Sequence, residues 1–269
     1  MALCAKIRAS TFTMKLMSDS DRSHPGSLAK LTAAFSPLYQ QIKGMLVRAL
    51  DEGEWKPGEA IPSEMELAAR FQVSQGTVRK AVDELAAEHL LIRRQGKGTF
   101  VATHHEAKIR FRFLRLAPNS GEQQPPQSKV LSCKRQRANA EMARSLGLKA
   151  GDSVIAIRRV LSFAGKAAVV DDIFLPAALF NGLSADILAS YVGPLYGLLE
   201  SRFGVNMVRA EEKLTAVAAS TEFSTLLGIE AGKPLLKVDR ISYTYADRPV
   251  ELRTGHYLTD HYYYRNSLI

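Results

Sequence analysis

Residues 62–91, PSEMELAARFQVSQGTVRKAVDELAAEHLL, contain the start signals of two helices in quick succession. Ser63 and Glu66 have the spacing of a capping box, in which each side chain bonds the backbone N–H of the other residue. Ser74 has the chemistry and position of a second N-cap. Apolar residues recur at helical spacing after each cap, and QVSQ separates the two patterns. The stretch therefore predicts two helices joined by a four-residue turn.

The flanking residues complete this unit. Upstream, SPLYQQIKGMLVRALDEGEW (36–55) has helical apolar spacing, and the prolines and glycine of WKPGEAIP end that helix. Downstream, LLIRRQGKGTFVA (90–102) has two apolar runs around a glycine-containing turn, as in a short β-hairpin with a basic tip. Together they predict an α+β winged helix-turn-helix domain over residues 35–102. The alternative is a three-helix scaffold whose polar face only meets solvent.

The polar residues of this unit indicate DNA as its partner. In a helix-turn-helix, the second helix enters the major groove with its N-terminal residues against base edges. Thr77 can bond phosphate or base there, and Arg79 and Lys80 can neutralise phosphate or bond guanine. At the hairpin, the glycines of QGKG let the backbone approach DNA closely. Arg94 and Lys97 could then contact phosphate or the minor groove.

Composition excludes several other classes. The 269 residues have a formal charge of +9, but acids and bases cancel within 36–102, so the clustering of bases late in that segment matters more than net charge. No apolar run is long enough to span a membrane, and the N-terminus lacks the apolar core of a secretory signal. Cys4 and Cys133 form neither a disulfide framework nor a metal-ligand pattern. We expect a cytoplasmic protein without membrane, metal or cofactor, with a flexible tail over residues 1–34.

A second pattern, of strands and short helices, follows the hairpin. The segment DSVIAIRRVLSFAGKAAVVDDIFLP (152–176) predicts a long hairpin that turns at Ala164–Gly165, and a final hairpin is predicted to turn at Ala246–Asp247. Hairpins outnumber parallel crossovers, which predicts an α+β domain with an antiparallel sheet over residues 109–269. A linker over residues 103–108 separates the two domains.

The first strand of the second domain is a candidate anion site. The segment IRFRFLRL (109–116) alternates apolar and basic residues, which places Arg110 and Arg112 on one face of a predicted strand. This face could bind an anion or simply meet solvent, and the pattern leaves both interpretations open.

Both domains resemble known families. The stretches PLYQQIK, PGEAIPSEMELAARFQVSQGTVRKAVDELAAEHLL and RRQGKGTFV resemble the DNA-binding domain of the GntR family of bacterial transcription regulators over residues 36–102. Later, GDSVIAIRRV, LYGLLESRFGV, LLGIEAGKPLL and RPVELRTGHYLTDHY resemble the effector-binding UTRA domain of the HutC subfamily, which shares a fold with chorismate lyase.

The first resemblance implies which residues face DNA, with two departures. Many relatives have arginine where this chain has Met65 and Gln75, which implies weaker guanine readout, and Gln75 could bond adenine instead. His89 replaces a glycine common at the helix end, a position that tends to need positive φ. The predicted DNA-binding residues are Ser63, Met65, Ser74, Gln75, Gly76, Thr77, Arg79, Lys80, Arg94, Gln95, Gly96, Lys97, Gly98 and Thr99.

The second resemblance implies an effector site. In relatives that bind amino-sugar phosphates, two arginines one residue apart grip the phosphate and a glutamate meets the sugar. Here the first arginine matches Arg159, the second position is Leu161, and the acid is Asp171. One guanidinium fewer favours a carboxylate over a sugar phosphate. The candidate effector-binding residues, each of which could instead be a structural ion pair or an aromatic plug, are Arg110, Arg112, Arg158, Arg159, Asp171, Glu251, Arg253 and Tyr257.

These resemblances imply a transcription regulator, by default a repressor, that binds two-fold operator DNA as a homodimer and responds to a small-molecule effector. Two other classes remain. One is an enzyme, because the second fold is shared with a lyase, although no nucleophile–base pair or metal set is visible. The other is a DNA-packaging protein, which would bind with a steep salt dependence and no operator preference.

Overall fold

The computed structural model describes residues 36–106, 112–122 and 124–266, so the predicted tail over 1–34 lies outside the described residues. The first part of the described chain is a three-helix domain with a two-stranded wing. The elements are α1 (Leu38–Asp51), α2 (Glu64–Phe71), α3 (Gln75–Ala87), β1 (Leu91–Arg94) and β2 (Gly98–Val101). Both parts of the molecule belong to one structural unit, which begins at Leu38.

The helix starts follow the capping signals of the sequence. The Ser63 hydroxyl accepts the Glu66 N–H at 3.3 Å and the Glu66 carboxylate accepts the Ser63 N–H at 2.7 Å, which confirms the capping box. Ser74 caps α3. The turn between α2 and α3 covers only Gln72–Ser74, so the predicted four-residue turn was too long: Gln75 already belongs to the helix.

The helices share one buried core, to which each contributes its apolar stripe. Leu46, Leu67 and Leu85 are almost completely buried there, and each such burial contributes about 1.5–3 kcal/mol. The wing is fixed to the segment before α2, because the Ile61 N–H donates to the Thr99 carbonyl at 2.9 Å.

The second part is built on an antiparallel sheet of six strands in the order β4-β5-β6-β9-β8-β7. A separate two-stranded sheet pairs β10 with β3. The elements are β3 (Leu116–Pro118), β4 (Gln127–Arg137), α4 (Ala140–Ser145), β5 (Ser153–Phe163), β6 (Lys166–Pro176), α5 (Ala185–Ser190), α6 (Leu195–Phe203), β7 (Arg209–Ala218), α7 (Thr221–Leu227), β8 (Pro234–Tyr243), β9 (Pro249–Tyr257) and β10 (Tyr262–Tyr264). The predicted α+β class with an antiparallel sheet is confirmed.

Both predicted hairpin turns are confirmed. Ala164 and Gly165 have φ of 48° and 78°, and Ala246 and Asp247 have φ of 55° and 54°. Positive φ at both central residues is the type I′ geometry, whose twist matches that of paired strands.

The predicted strand over 109–116 is wrong in the part that the structure describes. Residues 107–111 lie outside the described residues, Arg112 and Phe113 form a turn, and the strand begins only at Leu116. The Phe113 carbonyl accepts an N–H of Arg240 at 2.6 Å, and the Phe113 ring packs edge-on against Tyr196. Tertiary contacts therefore fix this segment, and its alternating pattern was misleading.

Candidate DNA-binding surface and effector cavity

The predicted DNA-binding residues lie at the start of α2, at the start of α3 and on the wing, and most are exposed. Met65, for example, is 70% exposed. Thr77, Arg94 and Thr99 are half-buried. The exposed members are Ser63, Met65, Ser74, Gln75, Gly76, Arg79, Lys80, Gln95, Gly96, Lys97 and Gly98.

The polar side chains at the start of α3 have partners that solvent can replace. Arg79 Nε donates to Glu64 at 2.9 Å, and the Gln75 amide donates to the same carboxylate at 3.4 Å. Lys80 Nζ lies 3.8 Å from the ring centroid of Tyr39. The Arg79 side chain is 58% exposed, and Glu64 also accepts a bond from Arg93 at 2.9 Å. Glu64 would therefore keep a cationic partner if Arg79 turned to a phosphate.

The wing strands are joined by a tight turn in which both glycines have positive φ. The Lys97 N–H donates to the Arg94 carbonyl at 2.9 Å, and Gly96 and Gly98 have φ of 70° and 107°. Lys97 at the tip has no ion-pair partner among the described residues. Arg94, in contrast, forms an ion pair with Glu106, which follows the wing in the chain. Among the wing cations, Lys97 is therefore available, Arg94 is tied to the interdomain segment, and Arg93 pairs with Glu64 and Asp83.

A cavity of about 520 Å³ lies in the second part of the molecule. Its walls come from residues 124–128 at the start of β4, from residues 191–196 at the start of α6, from residues 105 and 113–114, and from β5, β8 and β9. Three predicted effector residues line it, namely Arg159, Arg253 and Tyr257. Leu161, which the resemblance matches to the second arginine of the relatives, also lines it.

The side chains of Arg158 and Arg159, adjacent on β5, lie on opposite faces of the six-stranded sheet. Successive side chains of a strand alternate between the faces of the sheet, so Arg158 points away from the cavity that Arg159 lines. Arg158 Nε donates to Asp172 at 2.6 Å, and the same guanidinium pairs with Glu222. Arg158 is therefore outside the lining of this cavity, and it forms a structural ion pair instead.

The arginines of the cavity form ion pairs with buried carboxylates that do not themselves line the cavity. Arg159 donates to Asp171 from Nε and Nη2 at 3.0 and 2.8 Å. Arg253 Nε donates to Glu251 at 2.5 Å, and the Tyr196 hydroxyl donates to the other oxygen of Glu251. Asp171 and Glu251 are fully buried and outside the cavity lining. Their position indicates that they orient the arginines.

The sequence prediction missed Arg240, which also lines the cavity. It is 2% exposed, and its Nε donates to Glu212 at 2.6 Å. A signal was present in the sequence: Arg240 occupies the buried phase of β8, between Val238 and Ser242. An arginine at an apolar phase of a strand is rare unless its charge is paired. Tyr196 and His105, which line the cavity as well, gave no such signal.

Positive and negative charges balance around the cavity. The cations Arg159, Arg240 and Arg253 face the anions Asp171, Glu212 and Glu251. Burial acts to raise the pKa of Asp171, but the charges of Arg253 and Arg159 lower this pKa below its ordinary value, so Asp171 stays ionised. A guanidinium has five N–H donors, and the bonds of Arg159 to Asp171 use two nitrogens. The cavity thus offers directed donors without a large net charge.

Two predicted effector residues remain, Arg112 and Arg110, and only Arg112 is described. Arg112 is half-buried, its guanidinium lies 5.1 Å from the ring centroid of Phe113, and it is outside the lining of this cavity. The turn at residues 112–113 places it there. Arg110 lies outside the described residues.

The cavity wall contacts the segment that leads to the wing. His105 lines the cavity directly, and the first turn of α6 lines it with Tyr196. One turn further along α6, Glu200 accepts the Thr103 hydroxyl and, at 2.9 Å, the His104 N–H. Burial raises the pKa of Glu200, against the effect of these two hydrogen bonds. Residues 103–105 are therefore part of the cavity wall and its support.

His104 is held as a neutral side chain at this junction. It is 2% exposed, its Nε2–H donates to the Met207 carbonyl at 3.0 Å, and its Nδ1 has no hydrogen-bond partner among the described residues. Burial lowers the pKa of His104 to about 4. Its ring packs edge-on against Tyr196 at a centroid distance of 5.5 Å, so it connects the linker to a cavity residue.

The described ranges 36–106, 112–122 and 124–266 lack two further features. No group of three or more His, Cys, Asp or Glu side chains there could hold a metal ion. None of the helices there is long and apolar enough to cross a membrane.

A winged helix-turn-helix joined to a domain with a ligand-sized cavity defines a class of DNA-binding regulators. Comparison with known families agrees: the model for bacterial regulatory proteins of the gntR family matches residues 38–101, and the model for the UTRA domain matches residues 121–263. The chain belongs to the GntR family of bacterial transcription regulators and has the UTRA domain of its HutC subfamily.

Individual relatives span both domains. A helix-turn-helix transcriptional regulator from Mycobacterium tuberculosis is 31% identical over 86% of this chain and 86% of its own. The histidine utilization repressor of Pseudomonas putida is 28% identical over 81% of this chain and 86% of its own. Among solved structures, the ligand-binding domain of a GntR-family regulator from Bordetella bronchiseptica is 58% identical, covers 58% of this chain and 96% of that chain, and superposes with a TM-score of 0.57.

Proposed function

We propose that this regulator is a repressor that binds a two-fold operator as a homodimer and releases it when a small carboxylate fills the cavity of the second domain. The observation that supports it most is the shared wall: His105 lines the cavity and lies four residues after the end of β2 of the wing. We place its action in the cytoplasm, where its DNA target lies.

The DNA side of the proposal rests on α3 and the wing. The start of α3 offers Gln75 and Arg79 to base edges or phosphate, and the wing offers Lys97. A two-fold operator requires a two-fold protein, so we expect a homodimer.

Coupling between the domains would run through contacts on both sides of the linker. Glu200 of α6 holds Thr103 and His104, and Glu106 holds Arg94 of the wing. A ligand that moves the first turn of α6 would change the position of Glu200 and hence of the linker. Only a ligand that binds one placement of the DNA-binding domain more tightly than the other can shift that equilibrium.

The charge balance of the cavity supports a carboxylate effector. A phosphate monoester carries about −1.5 to −2 charges at pH 7, whereas a carboxylate carries one. The three arginines of the cavity are already neutralised by three carboxylates, so each added ligand charge is desolvated with little net compensation. Directed guanidinium donors can still bind one carboxylate well.

The test has two stages. Thermal unfolding of the full chain would first compare carboxylates, such as hexanoate and urocanate, with glucosamine 6-phosphate. A ligand at a hundred times its Kd adds about 2.7 kcal/mol to stability. Fluorescence anisotropy with an operator selected from random duplex DNA would then measure release. We expect carboxylates both to stabilise the protein and to weaken operator binding. Stabilisation by the sugar phosphate alone, or binding without release, would contradict the proposal.

A further inference from the structure

One carboxylate lies within the predicted DNA-binding surface. Glu64 stands between Ser63 and Met65 at the start of α2, and its side chain is only 15% exposed. DNA carries a negative charge on every phosphate, so a carboxylate at its contact surface opposes binding. Attraction to DNA therefore does not explain why Glu64 lies there.

Side chains from α3 and from the wing meet at this carboxylate. Oε2 accepts Nε of Arg79 at 2.9 Å and the amide nitrogen of Gln75 at 3.4 Å, and Oε1 accepts Nη2 of Arg93 at 2.9 Å. Burial acts to raise the pKa of Glu64, but the hydrogen bonds from Arg79 and Arg93 lower this pKa below its ordinary value. Glu64 is therefore ionised at neutral pH and can only accept hydrogen bonds.

The bond to Glu64 determines which edge of the Arg79 guanidinium remains for DNA. Arg79 and Gln75 are four residues apart on α3 and hence side by side on one face of the helix. Arg79 uses Nε for Glu64, and its Nη1 and Nη2 have no partner among the residues that the structure describes. These two nitrogens can bond O6 and N7 of guanine as a pair. Arg79 can therefore bind guanine without leaving Glu64.

The same carboxylate fixes the orientation of the Gln75 amide. Because ionised Glu64 only accepts, the NH2 group of Gln75 faces it and the amide oxygen of Gln75 faces away. One N–H and the oxygen then remain for a base. Adenine offers the matching pair, an acceptor at N7 and a donor at N6. Gln75 held in this way is complementary to adenine.

We propose that Glu64 is a positioning residue that sets the base preference of α3, by orienting Gln75 toward adenine and Arg79 toward guanine in the major groove. This inference rests on the proposed function and specifies the bases that the same surface recognises. Both side chains stay exposed and can adjust to DNA, but the bond to Glu64 narrows their rotamers, so they lose less freedom on binding. Glu64 thus lowers attraction to DNA in general and raises discrimination between base pairs.

Asp83 provides a matched control on the same surface. It accepts Nη2 of Arg93 at 2.7 Å and, within the described ranges, has no hydrogen bond to Arg79 or Gln75. Glu64→Ala and Asp83→Ala each remove one carboxylate that pairs with Arg93. Both variants should bind DNA of random sequence more tightly than the wild type, because each removes a negative charge. Only E64A removes the acceptor that holds Gln75 and Arg79.

The test measures base preference in the full chain without effector. The wild type would select an operator from random duplex DNA, and anisotropy titrations at one salt concentration would compare this operator with each of its single base-pair substitutions. A position whose preference disappears in Gln75→Ala or Arg79→Ala is read by that side chain. We expect an A·T pair at the first position and a G·C pair at the second. A bidentate contact to a base gives about 5- to 150-fold discrimination.

The variants then test the role of Glu64. We expect E64A to lower discrimination at both positions about fivefold, the equivalent of one hydrogen bond, and D83A to leave it unchanged. In the double variant E64A/Q75A, discrimination at the A·T position should equal that of Q75A alone, because Glu64 acts there through Gln75. Urea unfolding of each variant would confirm that the folded state is retained at the temperature of the titrations.

The contrary outcomes separate this inference from the proposed function. If E64A keeps the wild-type preferences, or if D83A lowers them equally, Glu64 does not position the two side chains, and the operator-binding function stands without it. The inference also fails if the position read by Gln75 is a G·C pair, or if no position depends on Gln75. If the wild type selects no operator from the random pool, the proposed function fails and the inference fails with it.

Discussion

Arginine side chains are used in two opposite ways in this molecule. In the DNA-binding domain, the side chains of Arg79 and Arg93 are 58% and 42% exposed. Around the cavity, those of Arg159, Arg240 and Arg253 are 11%, 2% and 8% exposed. Exposed pairs can exchange a carboxylate for phosphate at little cost, whereas buried pairs cannot be opened without leaving a charge unpaired. The first surface can adapt to DNA, and the second is fixed before its ligand arrives.

The strongest test of this contrast compares the loss in free energy of unfolding caused by Arg253→Met with the loss caused by Arg79→Met. Removing Arg253 leaves Glu251 and Asp171 buried without that partner, and we expect the free energy of unfolding to fall by about 3–5 kcal/mol. The Arg79 change should stay within about 0.5 kcal/mol. Urea unfolding of both variants measures the difference. Similar small losses would show that the cavity arginines are not held as described.

The pH dependence of stability sharpens the contrast at the junction. The pKa of His104 is about 4 in the folded protein and about 6.5 in an unfolded chain. Because the unfolded state binds the proton first, stability is present above pH 6.5 and is lost as pH falls toward 4. The expected loss from this group is about 3 kcal/mol.

A His104→Gln variant isolates that contribution. It keeps an amide N–H for the Met207 carbonyl but has no group that titrates in this range. The stability difference between wild type and variant should therefore grow with pH between 4 and 6.5, measured by urea unfolding. A constant difference across that range would mean that His104 titrates normally.

On the exposed surface, the expected losses concern DNA affinity instead of stability. Arg79→Ala and Lys97→Ala should each weaken operator binding by about 1–3 kcal/mol if they meet a base, or lower the salt slope by about one if they meet phosphate. Arg48→Ala, on the exposed side of α1, is the control. Anisotropy titrations at several salt concentrations measure both quantities. Equal affinities for all three variants would remove α3 and the wing from the interface.

The smallest expected effect tests a backbone position. His89 has φ of 59° two residues after the end of the helix that carries Arg79, a conformation that strains residues other than glycine. His89→Gly should raise the free energy of unfolding by up to about 1 kcal/mol and leave operator affinity unchanged. A loss of stability would indicate that the His89 side chain contributes contacts that outweigh the strain.

Sequence patterns predicted the DNA-binding domain better than the cavity, and the reason is physical. Caps such as Ser63 and Ser74 act over three residues, so their spacing is visible in the chain. The cavity joins residues far apart in sequence, such as Arg159, Tyr196 and Arg240. Resemblance supplied Arg159, and strand alternation could have separated it from Arg158. The position of Tyr196, and the turn at Arg112 that replaced a predicted strand, depend on packing that no local pattern encodes.

The central claim is that the cavity and the DNA-binding domain are coupled through Glu200 and the linker. The most direct test measures operator affinity with and without saturating hexanoate in wild type, Glu200→Gln and the exposed control Glu141→Gln. Allosteric coupling is commonly about 5- to 150-fold. We predict a loss in this range for wild type and E141Q, and a much smaller loss for E200Q, whose amide replaces one of the two acceptors. Full coupling in E200Q, at unchanged hexanoate affinity, would contradict the account.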